Sequence, residues 1–201
     1  PVKTEEALQH ALAKKLNYIN GMAEAYRVMG VGEAYANHEA KAIANYSYAL
    51  SYFRKAGNTL GQAKVYNNIG NLYLTIDYDQ SWDYLEKGLT IAQSLHDTKL
   101  IAYATLNIGN VYLRKKNFSL ALEYYTKSQQ LLTQLNDQAN LTICLQNTGV
   151  IHYKLKQYDK AEEMLLKAHE QARLQDQNTT IGITDLTLSS LHIENKDYEI
   201  G

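Results

Sequence analysis

Proline occurs once in the 201 residues, at Pro1, so nothing of that kind interrupts a helix from Val2 onward. Cysteine also occurs once, as Cys144, which excludes an internal disulfide framework and a cysteine-based zinc site. Cys144 lies in an apolar helical pattern and reads as a buried structural thiol. No run approaches the ~18 apolar residues of a membrane span. No basic-then-apolar leader opens the chain, although it starts at Pro1 without a methionine, which leaves room for a removed leader or upstream domain. A net charge of −1 gives no electrostatic case for nucleic acid or an anionic membrane. Period-two runs of Val, Ile and Thr are missing as well. The remaining composition, 45% hydrophobic and 20% charged, is that of a folded all-helical chain.

Signatures of catalysis are equally scarce. There is no phosphate-binding loop, nucleophile elbow or kinase signature. The six histidines are scattered, and His96-Asp97 reads as a turn followed by a helix cap. His152 and His192 stand at equivalent places and read as core residues with no carboxylate at useful helical spacing. The chain is therefore read as non-enzymatic, with no cofactor and no metal.

What is present is repetition. Asn107-Ile108-Gly109-Asn110-Val111-Tyr112 echoes Asn68-Ile69-Gly70-Asn71-Leu72-Tyr73, and Asn147-Thr148-Gly149-Val150-Ile151-His152 follows. A blurred copy, Val31-Gly32-Glu33-Ala34-Tyr35, precedes them. Self-similarity at this period marks a repeat architecture. Twenty-eight residues before Gly70, Gly109 and Gly149 stand Ala42, Ser81 and Ala121, and the same step joins Ala161 to Ser189 and Thr4 to Gly32. The forward step from glycine to the next small residue varies from ten to twelve, which places the length variation in the turn inside each repeat. A stacked array needs that constancy between repeats.

The pattern predicts a lone helix over 4–17, with Leu8, Ala11, Leu12 and Leu16 on one face. Pairs follow near 20–36 and 39–56, 58–75 and 79–95, 97–115 and 118–135, 137–155 and 158–175, then a last helix near 178–195. Asn58, Asp97 and Asp137, each twelve residues before a glycine, are placed to cap helices. Asn37, Asp77, Asn117 and Asp197 mark the turns inside repeats. The frame reaches Gly201, the last residue, near the start of a second helix, so the sequence reads as a fragment of something longer.

Glycine in mid-helix costs ~1 kcal/mol against alanine, so Gly70, Gly109 and Gly149 require a packing reason. Close approach of the two helices of a repeat supplies it. Ala42, Ser81, Ala121 and Ala161 admit the second helix, and Tyr46, Leu85, Tyr125 and Leu165 fill the core four residues on. Tyr35, Tyr73 and Tyr112 occupy the third position after the glycine.

These residues resemble the tetratricopeptide repeat. The resemblance is carried by Tyr66, Ile69, Gly70 and Tyr73 in a first helix and by Phe118, Ala121, Tyr125 and Ser128 in a second. Departures are the shortened turn before Ser81-Trp82, Gly88 where alanine is usual, and the missing proline at repeat ends. The spacings of 38 to 40 residues exceed the usual ~34 and are similar to the long-helix variety in bacterial signalling proteins. The resemblance implies an all-α, right-handed superhelical solenoid of about ten antiparallel helices, one domain over 1–201. Its parts are a half repeat at 4–17, repeats at about 20–56, 58–95, 97–135 and 137–175, and a half repeat at 178–201.

It also implies where a partner would bind. First helices line the concave wall, and helical spacing puts Asn67, Asn71 and Leu74, then Leu106, Asn110 and Leu113, then Gln146, Val150 and Tyr153 on one face. Arg114 and Lys154 lie at the next position along. Amides can pair with an extended peptide backbone while apolar positions accept its side chains. Asn68, Asn107 and Asn147 form a second ladder that serves either the ligand or neighbouring helices. Leu186 and Ile193 extend the face along the last helix. The expected function is a protein- or peptide-binding sensor or scaffold within a larger bacterial signalling protein, cytoplasmic unless a leader sent it to the periplasm. The alternative is a spacer or self-association segment forming homo-oligomers. Nucleic-acid binding and membrane insertion are not expected of this segment.

Overall fold

The computed structural model describes residues 8, 9, 11, 12 and 18–199, the side chains of 195–199 excepted. Nine helices form over residues 19–199: α1 (Ile19–Tyr35), α2 (Glu39–Lys55), α3 (Thr59–Tyr73), α4 (Tyr78–Ser94), α5 (Thr98–Arg114), α6 (Phe118–Gln134), α7 (Gln138–Lys154), α8 (Tyr158–Leu174) and α9 (Asn178–Glu199). No strand occurs among the described residues. The chain divides into two compact units, Pro1–Val111 and Tyr112–Gly201.

The junctions between repeats share one hydrogen-bonded device. After α2, the Gly57 N–H donates to the Arg54 carbonyl at 3.0 Å and the Asn58 N–H to the Phe53 carbonyl at 2.9 Å. Gly57 takes φ +65°, and His96, Asn136 and Asp176 adopt the same left-handed conformation at the equivalent places. This satisfies the last carbonyls of one helix. The following residue then caps the next helix. Asn58 accepts from the Gly61 N–H at 2.8 Å, Asp97 from Leu100 at 2.9 Å and Asp137 from Asn140 at 3.2 Å. Each such cap is worth ~1 kcal/mol.

In the first unit, Ala42, Tyr46, Ala49, Phe53, Val65 and Ile69 form a continuous buried cluster. In the second, Ala161 and Leu165 of α8 pack with Leu188 and Leu191 of α9. The mid-helix glycines are explained by these second-helix side chains. A Cβ on Gly70 would stand 2.5 Å from Leu85 Cγ, and one on Gly149 would stand 2.7 Å from Leu165 Cγ. Ser81, wholly buried, adds a hydrogen bond from its hydroxyl to the Gly70 carbonyl at 2.6 Å.

Three expectations are corrected. The glycine of the first repeat is Gly30, whose Cβ would lie 2.5 Å from the Tyr46 ring; Gly32 is two residues out of register. Tyr35 is accordingly 87% exposed and packs into no core. With Gly30 in place, the step to the next small residue is twelve in the first, third and fourth repeats, and only the second repeat has a shorter turn. Next, Asp197 makes no turn, because α9 runs through it to Glu199. At the matching turns Asn37, Lys116 and Lys156 are left-handed, at a cost of ~1–2 kcal/mol that docking of the following helix recovers. Ser189, at the small-residue position of α9, is exposed. Finally, His152 and His192 are not core residues. His152 is half-buried with Nδ1 2.7 Å from Gln157 Oε1, and His192 is exposed with Nε2 3.7 Å from Glu162. His152 takes a turn-closing role that Glu33 plays with His38 at 2.6 Å in the first repeat. The predicted helix over 4–17, with Thr4 and Leu16, lies outside the described residues, save for residues 8, 9, 11 and 12, which are helical; Leu8 and Leu12 are exposed. Gly201 also lies outside them.

Candidate functional site

α3 and α5 carry asparagines two residues before and one after the packing glycine, and α7 keeps only the first of the pair, Asn147, so the glycine that seats the second helix also fixes where these amides stand. In the first unit, Asn71 of α3 is exposed, and Leu74 is half-buried just beyond the helix. Asn67 and Asn110 are half-buried, and a hydrogen-bonded chain joins them. Asn107 Nδ2 donates to Asn67 Oδ1 at 3.1 Å, and Asn110 Nδ2 reaches Asn107 Oδ1 at 3.5 Å. Leu106 is only 5% exposed, so it belongs to the core of α5. Its α5 neighbours Leu113 and Arg114 are half-buried and exposed respectively.

In the second unit the predicted face is largely committed to packing. Gln146 is 7% exposed and its Nε2 donates to Asn147 Oδ1 at 3.1 Å. Val150 and Tyr153 pack against the Leu165–Leu188 cluster. The Tyr153 hydroxyl donates to Glu194 at 2.8 Å, and Tyr158 donates to the other oxygen at 3.0 Å. These two hydrogen bonds hold the Glu194 carboxyl below its ordinary value. Lys154 is exposed and sits 5.2 Å from the centre of the Tyr153 ring. Leu186 and Ile193 of α9 are exposed.

The inner asparagine ladder has three different fates, set by the residue 22 positions earlier. Before Asn147 that residue is Tyr125, and the two side chains are hydrogen-bonded. Before Asn107 it is Leu85, which offers no polar atom, and Asn107 turns to Asn67. Before Asn68 it is Tyr46, and here no bond forms: Asn68 Nδ2 is buried with no hydrogen-bond partner. Asn68 and Tyr46 instead line a cavity of about 280 Å³ together with Asn71, Leu72, Thr75 and Glu39. Among the predicted face residues, Asn71 alone borders it. The pattern of face residues along the first helices could not reveal this cavity, because Tyr46 and Glu39 come from the second helix of the preceding repeat. The sequence signal was the Tyr46–Asn68 spacing, which repeats that of Tyr125 and Asn147.

The remaining chemistry is structural. Burial pushes the Cys144 thiol up to about 12. No three His, Cys, Asp or Glu side chains among the described residues are grouped to hold a metal ion. No helix among them is long and apolar enough to cross a membrane.

Comparison with known proteins agrees with this anatomy. Residues 100–173 match the family profile of the Tetratricopeptide repeat. No curated protein matches the sequence. The fold is similar to BtubC (BKLC) from P. vanneervenii, with a TM-score of 0.77 at 18% identity over 98% of this chain and 84% of that one. It is similar to the apo form of RapI, with a TM-score of 0.74 at 19% identity over 89% of this chain and 65% of that one. A signal-transduction ATPase with a tetratricopeptide repeat sensor from Pyrococcus horikoshii gives a TM-score of 0.68 at 16% identity, over 84% of this chain and 27% of that one. Residues 100–173 carry the tetratricopeptide repeat, which generally serves protein interaction, and the described residues form an all-helical array.

Proposed function

We propose that the chain is a non-catalytic module that binds a peptide or protein partner, acting as the sensor or scaffold part of a larger signalling protein of the cytoplasm. The observation that carries the reading is the exposed Asn71 beside a cavity whose buried Asn68 amide lacks a partner. Buried donors normally find acceptors, so an unmet one beside an exposed amide suits a ligand backbone. The sensor role of the tetratricopeptide repeats in the Pyrococcus horikoshii signal-transduction ATPase supports the same reading. Peptide-array binding by the wild type, Asn71→Ala and Asn110→Ala tests it. Loss of binding in Asn71→Ala with unchanged circular dichroism is the expected result, and equal binding by all three proteins would remove the reading.

A second reading is self-association as a spacer segment. It is favoured by the exposed apolar side chains Leu174, Leu186 and Ile193 on α8 and α9. Molecular mass rising with concentration, without ligand and abolished by Leu186→Glu, would support it.

A further inference from the structure

The Asn68 cavity has a polarity that restricts its occupant. Its inner wall donates: Asn68 Nδ2 is buried without an acceptor among the described residues, and Tyr46, 2% exposed, lines the same cavity. Burial pushes the Tyr46 phenol up to about 12, so at neutral pH it is a protonated donor. Leaving the Asn68 donor unmet carries a desolvation cost that an acceptor would relieve. At the rim stands the exposed carboxylate of Glu39, the only charged group among the described lining residues, beside the exposed Tyr35, Asn37 and Thr75. A volume of about 280 Å³ exceeds the share of one water severalfold and accommodates a side chain.

The occupant that best matches Asn68 and Glu39 accepts a hydrogen bond inside, donates at the rim and carries no negative charge. A carboxylate meets the first need and is repelled by Glu39. An alkyl or thioether side chain meets neither. A primary carboxamide meets all three, with its oxygen toward Asn68 and Tyr46 and its NH2 toward Glu39.

We propose that this cavity is a subsite for the side-chain carboxamide of a glutamine or asparagine in the bound peptide. The proposal rests on the peptide-binding reading above and adds a sequence preference to it. Asn71, which borders the cavity, is placed to hold the backbone of that same residue.

The test is an NMR titration of the 15N-labelled 201-residue chain with three capped amino acids: N-acetyl-glutamine, N-acetyl-glutamate and N-acetyl-methionine N-methylamides. The glutamine probe should shift the Asn68 side-chain NH2 resonances, with binding about tenfold tighter than the other two, since a hydrogen-bonding site rejects analogues that leave its groups unpaired. Asn68→Asp, which removes the donor, should abolish the response, and Tyr46→Phe should weaken it severalfold, with circular dichroism confirming the helices. Glu39→Gln, a surface change that leaves the core untouched, should let the glutamate probe bind within about threefold of the glutamine probe, because the rim repulsion is gone. Equal shifts from all three probes would overturn the proposal. So would Asn68 resonances unmoved by any probe, the outcome if its amide bonds the Tyr46 hydroxyl in solution. The two levels separate cleanly. Array peptides that depend on Asn71 yet show no Gln or Asn preference would sink the subsite and keep the peptide-binding reading. Selective response to the glutamine probe with no array binding would do the reverse.

Discussion

Asn107 donates its side-chain amide to Asn67 Oδ1 at 3.1 Å, across two first helices whose residues stand 40 positions apart. The bond makes Asn107 a tie between successive repeats rather than a free ligand contact. Both side chains are half-buried, so the net worth of the bond is ~1 kcal/mol. Asn107→Ala should lower the unfolding free energy by about that amount, read as a drop in urea midpoint at constant slope. Asn71→Ala, at an exposed site, should change it by less than ~0.5 kcal/mol. Equal losses in both would show that the ladder positions are energetically alike.

Glycine to alanine should separate the packing glycines from the rest. At Gly70 the new Cβ would meet Leu85 Cγ at 2.5 Å and the Leu85 backbone nitrogen at 3.1 Å, and Leu85 is wholly buried. The strain, ~1–3 kcal/mol, exceeds the ~1 kcal/mol gained in helix propensity, so Gly70→Ala and Gly149→Ala should destabilise. Gly182, in α9, has nothing within 4 Å of its Cβ position. Gly182→Ala should stabilise by ~0.5–1 kcal/mol. Thermal melts of the three variants check the opposite signs.

The helices, their caps and the small residues at the pair contacts were legible in the sequence because each depends on local pattern. Asn58, Asp97 and Asp137 cap where spacing placed them, and Tyr46, Leu85, Tyr125 and Leu165 are buried as expected. The register of the first repeat was misread because Gly30 and Gly32 lie two apart and only the contact with Tyr46 distinguishes them. The candidate face was legible only in part. Helical spacing puts Leu106 and Gln146 on the same stripe as Asn71, but that stripe is wide enough to include residues that neighbouring helices bury. The cavity at Asn68 depends on a bond that is absent, and no spacing rule reports an absent bond.

Glu194 should titrate abnormally. Hydrogen bonds from Tyr153 and Tyr158 lower its pKa from the ordinary 4.5, with Lys156 and Lys154 helping. A depressed carboxyl contributes stability above its unfolded pKa and loses it as pH falls through the folded value. The link from α9 to α7 and α8 should therefore persist at neutral pH and weaken only below about 4.5, the ordinary value. Side-chain carboxyl NMR should place the Glu194 midpoint below 4.5, and combined Tyr153→Phe and Tyr158→Phe should raise it toward that value. An unmoved midpoint in the double variant would assign the shift to the lysines instead.

Cys144 offers a reporter of whole-molecule opening. It is the single cysteine of the chain, wholly buried on α7, and burial pushes its thiol up to about 12. Only the thiolate attacks a disulfide reagent, so both access and ionisation protect the folded form. At pH 8 the native protein should react with dithiobis(nitrobenzoate) only as fast as it opens, whereas the urea-unfolded chain should release one equivalent of thionitrobenzoate promptly. Adding the reagent at rising concentration distinguishes the cases. A labelling rate that reaches a plateau marks an opening step, while a rate that keeps rising and approaches that of the unfolded chain would mean that Cys144 is reached without unfolding, and that the packing around α7 is looser than its complete burial implies.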